Sequence, residues 1–169
     1  MKLHLLRHAK TNQKSPTGKD FDRDLLPKGI KQTALMAVYL EKNLDFSKTD
    51  IYCSSSKRTS QTLDLLAKKL KIKAKEYSKE LYLANHMELF SYLIQQKSKK
   101  DVLLIGHNNG ISDLATYFTD ELVSLQTCGF ISLEFQTDSW QEISGGTACI
   151  IAAYRPEVDW LSSFLGLKS

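Results

Sequence analysis

The chain has 169 residues, 42% of them hydrophobic and 25% charged, with a formal net charge of +4. That length suits a single domain, residues 1–169, with a sizeable core. The balance excludes a disordered or fibrous chain; the basic residues form no dense block of the kind a nucleic-acid binder carries, and no run approaches the ~20 apolar residues of a membrane span.

Lys2 to Arg7 reads as a short buried strand. Ala9 to Asp24 is polar, contains Pro16 and Gly18, and reads as a mobile loop. Pro27 can open a helix to about Asn43, with Ile30, Ala34, Ala37, Leu40 and Leu44 near a helical period. Thr49 to Cys53 is a second strand. Ser54-Ser55-Ser56 then offers N-cap hydroxyls to a helix reaching about Leu70, with Leu63, Leu66, Ala67 and Leu70 on one face. The Lys68-Lys69-Leu70-Lys71 run is its solvated end, where cations suit the helix dipole. A weak strand near Ile72 to Tyr77 and a helix from about Met87 to Gln96 follow.

Asp101 to Gly106 is the clearest strand, an apolar run bounded by Lys-Lys-Asp and Gly. Asn108-Asn109-Gly110 leads into a helix from about Ile111 to Phe118. Phe130 to Gln136 alternates like a strand of a half-buried sheet, which Trp140 to Ile143 would pair with or extend. Thr147 to Tyr154 is another apolar strand, and the tail after Pro156 is expected to form a short helix with Val158, Leu161 and Leu165 inward. This alternation predicts an α/β three-layer sandwich: a mostly parallel central sheet, helices on both faces and an antiparallel edge formed late in the chain.

Cys53, Cys128 and Cys149 are odd in number and lack CxxC spacing, so buried free thiols in a reducing compartment are expected. No signal peptide is visible, because Leu3 to Leu6 is short and Arg7 interrupts it. The cytoplasm is the expected location.

In open α/β sheets, ligands sit beyond the carboxyl ends of the strands. Arg7-His8, Ser54 to Arg58 and His107 all fall at such ends. Each brings a residue suited to phosphate. Arg7 and Arg58 could grip the equatorial oxygens of a phosphoryl group with planar, permanently charged forks. Charge spread over those oxygens in the transition state would be stabilised by the same donors. A neutral imidazole has a free lone pair, and its ordinary pKa of ~6.5 leaves much of it neutral in the cell. His8 is therefore the candidate nucleophile, provided its other ring nitrogen donates to a fixed acceptor; a backbone carbonyl would serve. His107 is expected to hold a phosphate oxygen as a cation. Helix N-termini after Ser54 and His107 could add N–H donors. His4 reads as a structural residue, and His86 as a helix-start capping or surface residue. No carboxylate cluster flanks the histidines, so neither metal nor cofactor is expected.

These residues resemble a known family. Leu6-Arg7-His8-Ala9-Lys10 is similar to the Arg-His signature of the histidine phosphatase superfamily, in the form carried by its SixA-type phosphohistidine phosphatase branch. Asp22-Arg23-Asp24-Leu25 to Gly29, Ser54 to Thr62, Leu81-Tyr82-Leu83-Ala84 and Val102 to Gly110 resemble further motifs of that branch, in the same order. The resemblance implies a phosphoglycerate mutase-like fold and a metal-free phosphatase with Arg7, His8, Arg58 and His107 as its phosphate pocket. Thr11, Arg23 and Asn108 join them as phosphate- or substrate-binding positions. Arg23 matches a family position that would gate or bind substrate, but it could equally form a surface ion pair with Asp20 or Asp24.

Asp24 and Asn109 stand where the branch usually has proline, and Leu83 stands where larger members place a glutamate acid. An alkoxide leaving group needs a good general acid, whereas a protonated phosphoimidazole leaves as neutral imidazole. The expected reaction is hydrolysis of phosphohistidine on a protein through a phospho-His8 intermediate, with inorganic phosphate as product and no nucleic-acid or membrane partner. Glu80, Asp22 and Glu88 remain candidates for supplying a proton. The alternatives are a small-molecule phosphomonoesterase on the same site and a non-catalytic phosphohistidine-binding module. A cysteine phosphatase built on Cys53 fits poorly, since four residues separate it from Arg58 where five are needed, and none is glycine.

Overall fold

Short apolar runs and patterns of helical period alternate along the chain, and so do the strands and helices of the computed structural model, which describes residues 1–70, 72 and 74–158. The strands are β1 (Lys2–Arg7), β2 (Thr49–Ser54), β3 (Glu76–Ser78), β4 (Asp101–Gly106), β5 (Phe130–Phe135) and β6 (Ala148–Tyr154). The helices are α1 (Pro27–Asn43), α2 (Lys57–Leu70), α3 (His86–Ile94) and α4 (Gly110–Thr119). The strands form one sheet in the order β3-β2-β4-β1-β5-β6. β1, β2, β3 and β4 pair in parallel, while β5 and β6 add an antiparallel edge.

Side-chain alternation along the central strands splits the core in two. Leu3, Leu5, Val102 and Leu104 meet Leu89 and Leu93 of α3 and Leu114 and Phe118 of α4. Leu6, Ile51, Leu103 and Ile105 meet Met36 and Leu40 of α1 and Leu63 and Leu66 of α2. Helices therefore cover both faces of the sheet, which is the predicted sandwich. No helix among the described residues is long and apolar enough to cross a membrane.

Several local expectations are corrected. α1 buries Ala37 and Leu40 as predicted, but its inward face also takes Gly29, Gln32, Thr33 and Met36, while Ile30 is 49% exposed. The reason is the loop after β1, which lies on this helix; a Cβ on Gly29 would overlap the Lys10 carbonyl, and the Gln32 side chain accepts from the Lys10 N–H at 3.0 Å. Trp140 to Glu142 forms a 3-10 turn, not a strand, because the indole is fully buried and its N–H donates to the Lys100 carbonyl at 3.2 Å. Asn85, not His86, caps α3, through a capping box with Glu88. Cys149 is exposed on edge strand β6, whereas Cys53 and Cys128 are buried. Val158 has no regular structure, and Leu161 and Leu165 lie outside the described residues.

The Ala9 to Asp24 loop is pinned at many points. Thr11 bridges Leu25, and the Asn12 N–H donates to the Asp24 carbonyl at 2.9 Å. The Gln61 side chain holds the far end, accepting from the Leu25 N–H at 2.9 Å and donating to Asp24 Oδ1 at 2.8 Å. Asp24 also pairs with Lys57 at 2.8 Å, so this residue ties the loop to α2 where the family pattern has proline.

Candidate active site

Sheet register sets the site. Arg7 on β1 is opposite Gly106 on β4, so His8 and His107 leave neighbouring parallel strands side by side. Their ring centroids are 5.4 Å apart. The His8 N–H donates to the Gly106 carbonyl at 3.2 Å, and the His8 carbonyl accepts from the Cys128 N–H at 3.0 Å, which fixes the residue from both sides. β2 pairs with β4 on its other edge, and α2 begins just beyond it, bringing Arg58 to the same end. The Thr62 hydroxyl locks α2 to the His8 loop, accepting from the Ala9 N–H at 3.2 Å and donating to the Arg58 carbonyl at 2.7 Å. Gly110 lets α4 start close by, since a Cβ there would overlap the Ala84 carbonyl.

His8 is buried, and its Nδ1 lies 2.9 Å from the Ala9 carbonyl. A carbonyl only accepts, so the proton sits on Nδ1 and Nε2 keeps its lone pair. Burial, then the positive charge of Arg58, Arg7 and Arg23, holds the His8 pKa down at about 4 against the opposing effect of the Ala9 hydrogen bond. The ring is therefore a neutral base with its tautomer already set, as nucleophilic attack requires.

His107 is equally buried, and its Nε2 lies 2.8 Å from the Ser54 hydroxyl. Its pKa is lowered to about 3, first by burial and then by Arg58 and His8. The expected cation is thus a neutral ring in the free protein, because it is desolvated beside positive charge. Arg58 is 2% exposed. Its Nη1 donates to the Asp20 carbonyl at 2.7 Å and its Nη2 to Asp20 Oδ2 at 2.9 Å. Arg7 Nη1 donates to the Leu125 carbonyl at 2.9 Å. Arg7 Nε, Arg58 Nε and His107 Nδ1 are all buried without a hydrogen-bond partner among the described residues.

The seven residues expected from the sequence, Arg7, His8, Thr11, Arg23, Arg58, His107 and Asn108, all line one cavity of about 560 Å³. Arg23 is braced by three bonds: to the Asn12 carbonyl at 2.6 Å, to the Thr11 hydroxyl at 2.8 Å and to Asp20 Oδ1 at 2.9 Å. The Asn108 side-chain oxygen accepts from Ser112 at 2.7 Å. Asp22, Glu80 and Glu88 do not line this cavity, and Leu83 does. Cys53 lies in the core away from it, its thiol pKa raised by burial, which leaves no thiolate for a cysteine mechanism. No group of three His, Cys, Asp or Glu among the described residues could hold a metal ion.

Tyr82 was not singled out as a site residue, and Asp20 was named only as an ion-pair partner for Arg23, a pair that forms at 2.9 Å. Asp20 ties both arginines together, and the Tyr82 hydroxyl donates to its Oδ2 at 2.8 Å. The available signal was chemical: an arginine expected in a buried pocket needs a carboxylate partner, and the acidic stretch of Asp20, Asp22 and Asp24, which runs into the matched motif from Asp22, could give one.

The family model described as "Histidine phosphatase superfamily (branch 1)" matches residues 3–83. The fold is that of the histidine phosphatases. A candidate SixA phosphohistidine phosphatase from Nakamurella multipartitia superposes with a TM-score of 0.80 at 23% identity, over 93% of this chain and 96% of that one. A second, from Agrobacterium tumefaciens, gives 0.76 at 21% identity, over 92% and 97% of the two chains. The protein histidine phosphatase SixA solved with tungstate gives 0.76 at 19% identity, again over 92% and 97%. No curated protein sequence matches the chain. The superfamily resemblance is borne out over residues 3–83, which hold Arg7-His8 and the Ser54 to Thr62 motif, and the SixA-type histidine phosphatases are neighbours in fold over the chain.

Proposed function

We propose that this histidine phosphatase fold hydrolyses phosphohistidine on a protein, with His8 as nucleophile. One observation carries the reading: Arg7 Nε, Arg58 Nε, His107 Nδ1 and the free His8 Nε2 belong to four residues lining one cavity, and the first three are buried donors or acceptors left without a partner among the described residues. Leaving such groups unpaired costs about 1–3 kcal/mol each. A tetrahedral dianion supplies the acceptors and the negative charge that these three lack, and its phosphorus is the electrophile for the His8 Nε2 lone pair. Its charge would also favour protonation of His107, turning that ring into the cation that donates to a phosphoryl oxygen.

His8 Nε2 attacks phosphorus, the P–N bond of the substrate breaks, and its electron pair stays on the departing imidazole. Phospho-His8 keeps its Nδ1 proton on the Ala9 carbonyl. Water then attacks phosphorus, His8 leaves as neutral imidazole, and the water proton passes to phosphate and solvent. No carboxylic acid stands at position 83, which favours phosphoramidates over esters of poor leaving groups. The phosphohistidine phosphatase names of the SixA neighbours support the same substrate class.

The test compares kcat/KM for a phosphohistidine peptide with sugar and aryl phosphates. The peptide is expected to be preferred, with phosphate trapped on His8 as an acid-labile, base-stable adduct and no turnover by His8→Ala. Faster turnover of sugar phosphates would replace this reading with the small-molecule phosphomonoesterase.

A further inference from the structure

We infer that Asp20 accepts the imidazole N–H of the substrate and is the residue that makes the site prefer a phosphorylated imidazole over a phosphate ester. The inference rests on the phosphohistidine reading above and names the group that would enforce it. Asp20 stands in the wall of the cavity that holds His8, yet its side chain is 44% exposed, so it lies at the mouth, not in the depth. An in-line displacement at phosphorus puts the leaving group on the side away from His8 Nε2, toward such a mouth.

The carboxylate has the capacity for the task. It offers about four acceptor positions. Oδ2 accepts from Arg58 and Tyr82, but Oδ1 accepts from Arg23 alone among the described residues. One position on Oδ1 therefore remains for a donor in the cavity. Asp20 cannot act as the missing acid. Burial raises its pKa, but hydrogen bonds from Arg23 and Tyr82 and the Arg58 charge overcome this and leave it well below the ordinary carboxylate range. An ionised carboxylate is an acceptor, and a phosphoester offers it no donor.

Phosphohistidine does offer one. With its second ring nitrogen protonated, the phosphorylated ring is an imidazolium, and that N–H can donate to Oδ1. When the P–N bond breaks, the electron pair stays on the nitrogen that held phosphorus and the proton stays on the other nitrogen, so neutral imidazole departs without a proton transfer. The carboxylate favours the imidazolium form from which this occurs. Leu83 completes the mouth: it lines the cavity, is 53% exposed and is held at a φ of 52°, a conformation that is uncommon for a bulky residue. It gives the ring an apolar wall where an acid would serve an alkoxide.

The experiment measures kcat/KM of the wild-type protein and Asp20→Asn on phosphoimidazole and on p-nitrophenyl phosphate. Asp20→Asn is expected to lower the phosphoimidazole/ester ratio by about 10- to 100-fold, the effect of one charge-assisted hydrogen bond. A second measurement needs no variant: wild-type protein should turn over N-phospho-N′-methylimidazolium, which has the same leaving atom and charge but no N–H, at least about tenfold more slowly than phosphoimidazole. An equal loss on both substrates, with the methylated probe turned over as fast as its parent, would reduce Asp20 to a tether for Arg58 and overturn the inference. A wild-type protein active on the ester and inert toward phosphoimidazole would instead overturn the proposed function itself.

Discussion

Acidification is expected to destabilise the protein through its buried histidines, and an oxyanion is expected to counteract it. His4, His8 and His107 are 4%, 7% and 3% exposed, and their pKa values are held at about 4, about 4 and about 3, chiefly by burial. In the unfolded chain each returns to about 6.5. Between those values the unfolded chain binds protons that the folded chain does not, so stability falls as pH falls. At pH 5 the unfolded value is about 1.5 units away, which is about 2 kcal/mol per histidine and about 6 kcal/mol for the set. A loss of that size is comparable to the whole stability of a typical domain. The depressed carboxylates Asp20 and Asp24 lose their contribution only below the ordinary carboxylate range, so they stay out of this window. Urea unfolding at pH 7, 6 and 5 measures the loss, and His107→Asn should reduce its pH dependence by about a third. Sulfate remains a dianion throughout and should stabilise more at pH 5 than at pH 7, because it makes protonation of His8 and His107 favourable. Stability that holds or rises from pH 7 to pH 5, or an equal sulfate effect at both, would refute the argument.

Cys53→Ser should leave turnover nearly intact, since the thiol lies in the core outside the cavity; loss of all activity in a folded variant would revive a cysteine nucleophile. Arg58→Ala removes a buried grip on the phosphoryl group and one of the three side chains that donate to the Asp20 carboxylate, so kcat/KM should fall by about 10²-fold or more, with vanadate inhibition weakened in parallel. Gly110→Ala forces a methyl group against the Ala84 carbonyl, and thermal unfolding should show a loss of about 1–3 kcal/mol. Prolonged dialysis against a chelator should leave kcat unchanged.

Elements whose patterning arises from one local cause were legible in the chain. β1 at Lys2–Arg7, α1 at Pro27–Asn43 and the end of α2 at Leu70 match their predicted bounds, because apolar period and an N1 proline decide them. The inward face of α1 was legible only in part: Ala37 and Leu40 are buried as expected, whereas Ile30 is exposed and Gly29 and Gln32 are buried. It is chosen by the Lys10 carbonyl resting on Gly29 and by the Gln32 bond to the Lys10 N–H, contacts that exist only once the loop after β1 has folded back. Trp140 misled for a related reason: its bulk suits a strand, but the indole fills a core position from a 3-10 turn.

The candidate site divides along the same line. Arg7, His8, Arg58 and His107 could be placed together because each lies at or just beyond the end of a strand, and parallel strands end on one edge of the sheet. Asp20 could be set beside Arg23, three residues on, but not beside Arg58, since the course of its loop depends on long-range bonds to Arg58 and Tyr82. Yet the residue types demanded it. Two arginines meeting in a half-buried cavity repel one another, and their charge, with burial, keeps the neighbouring His8 and His107 rings neutral. A carboxylate spanning Arg58 and Arg23 offsets the repulsion while no anion is bound. Held at the mouth, it leaves the deeper Arg7 Nε, Arg58 Nε and His107 Nδ1 unpaired. The same placement would keep Asp20 on the leaving-group side of the phosphoryl group, where a negative charge can attract an imidazolium without competing for the position of the phosphate.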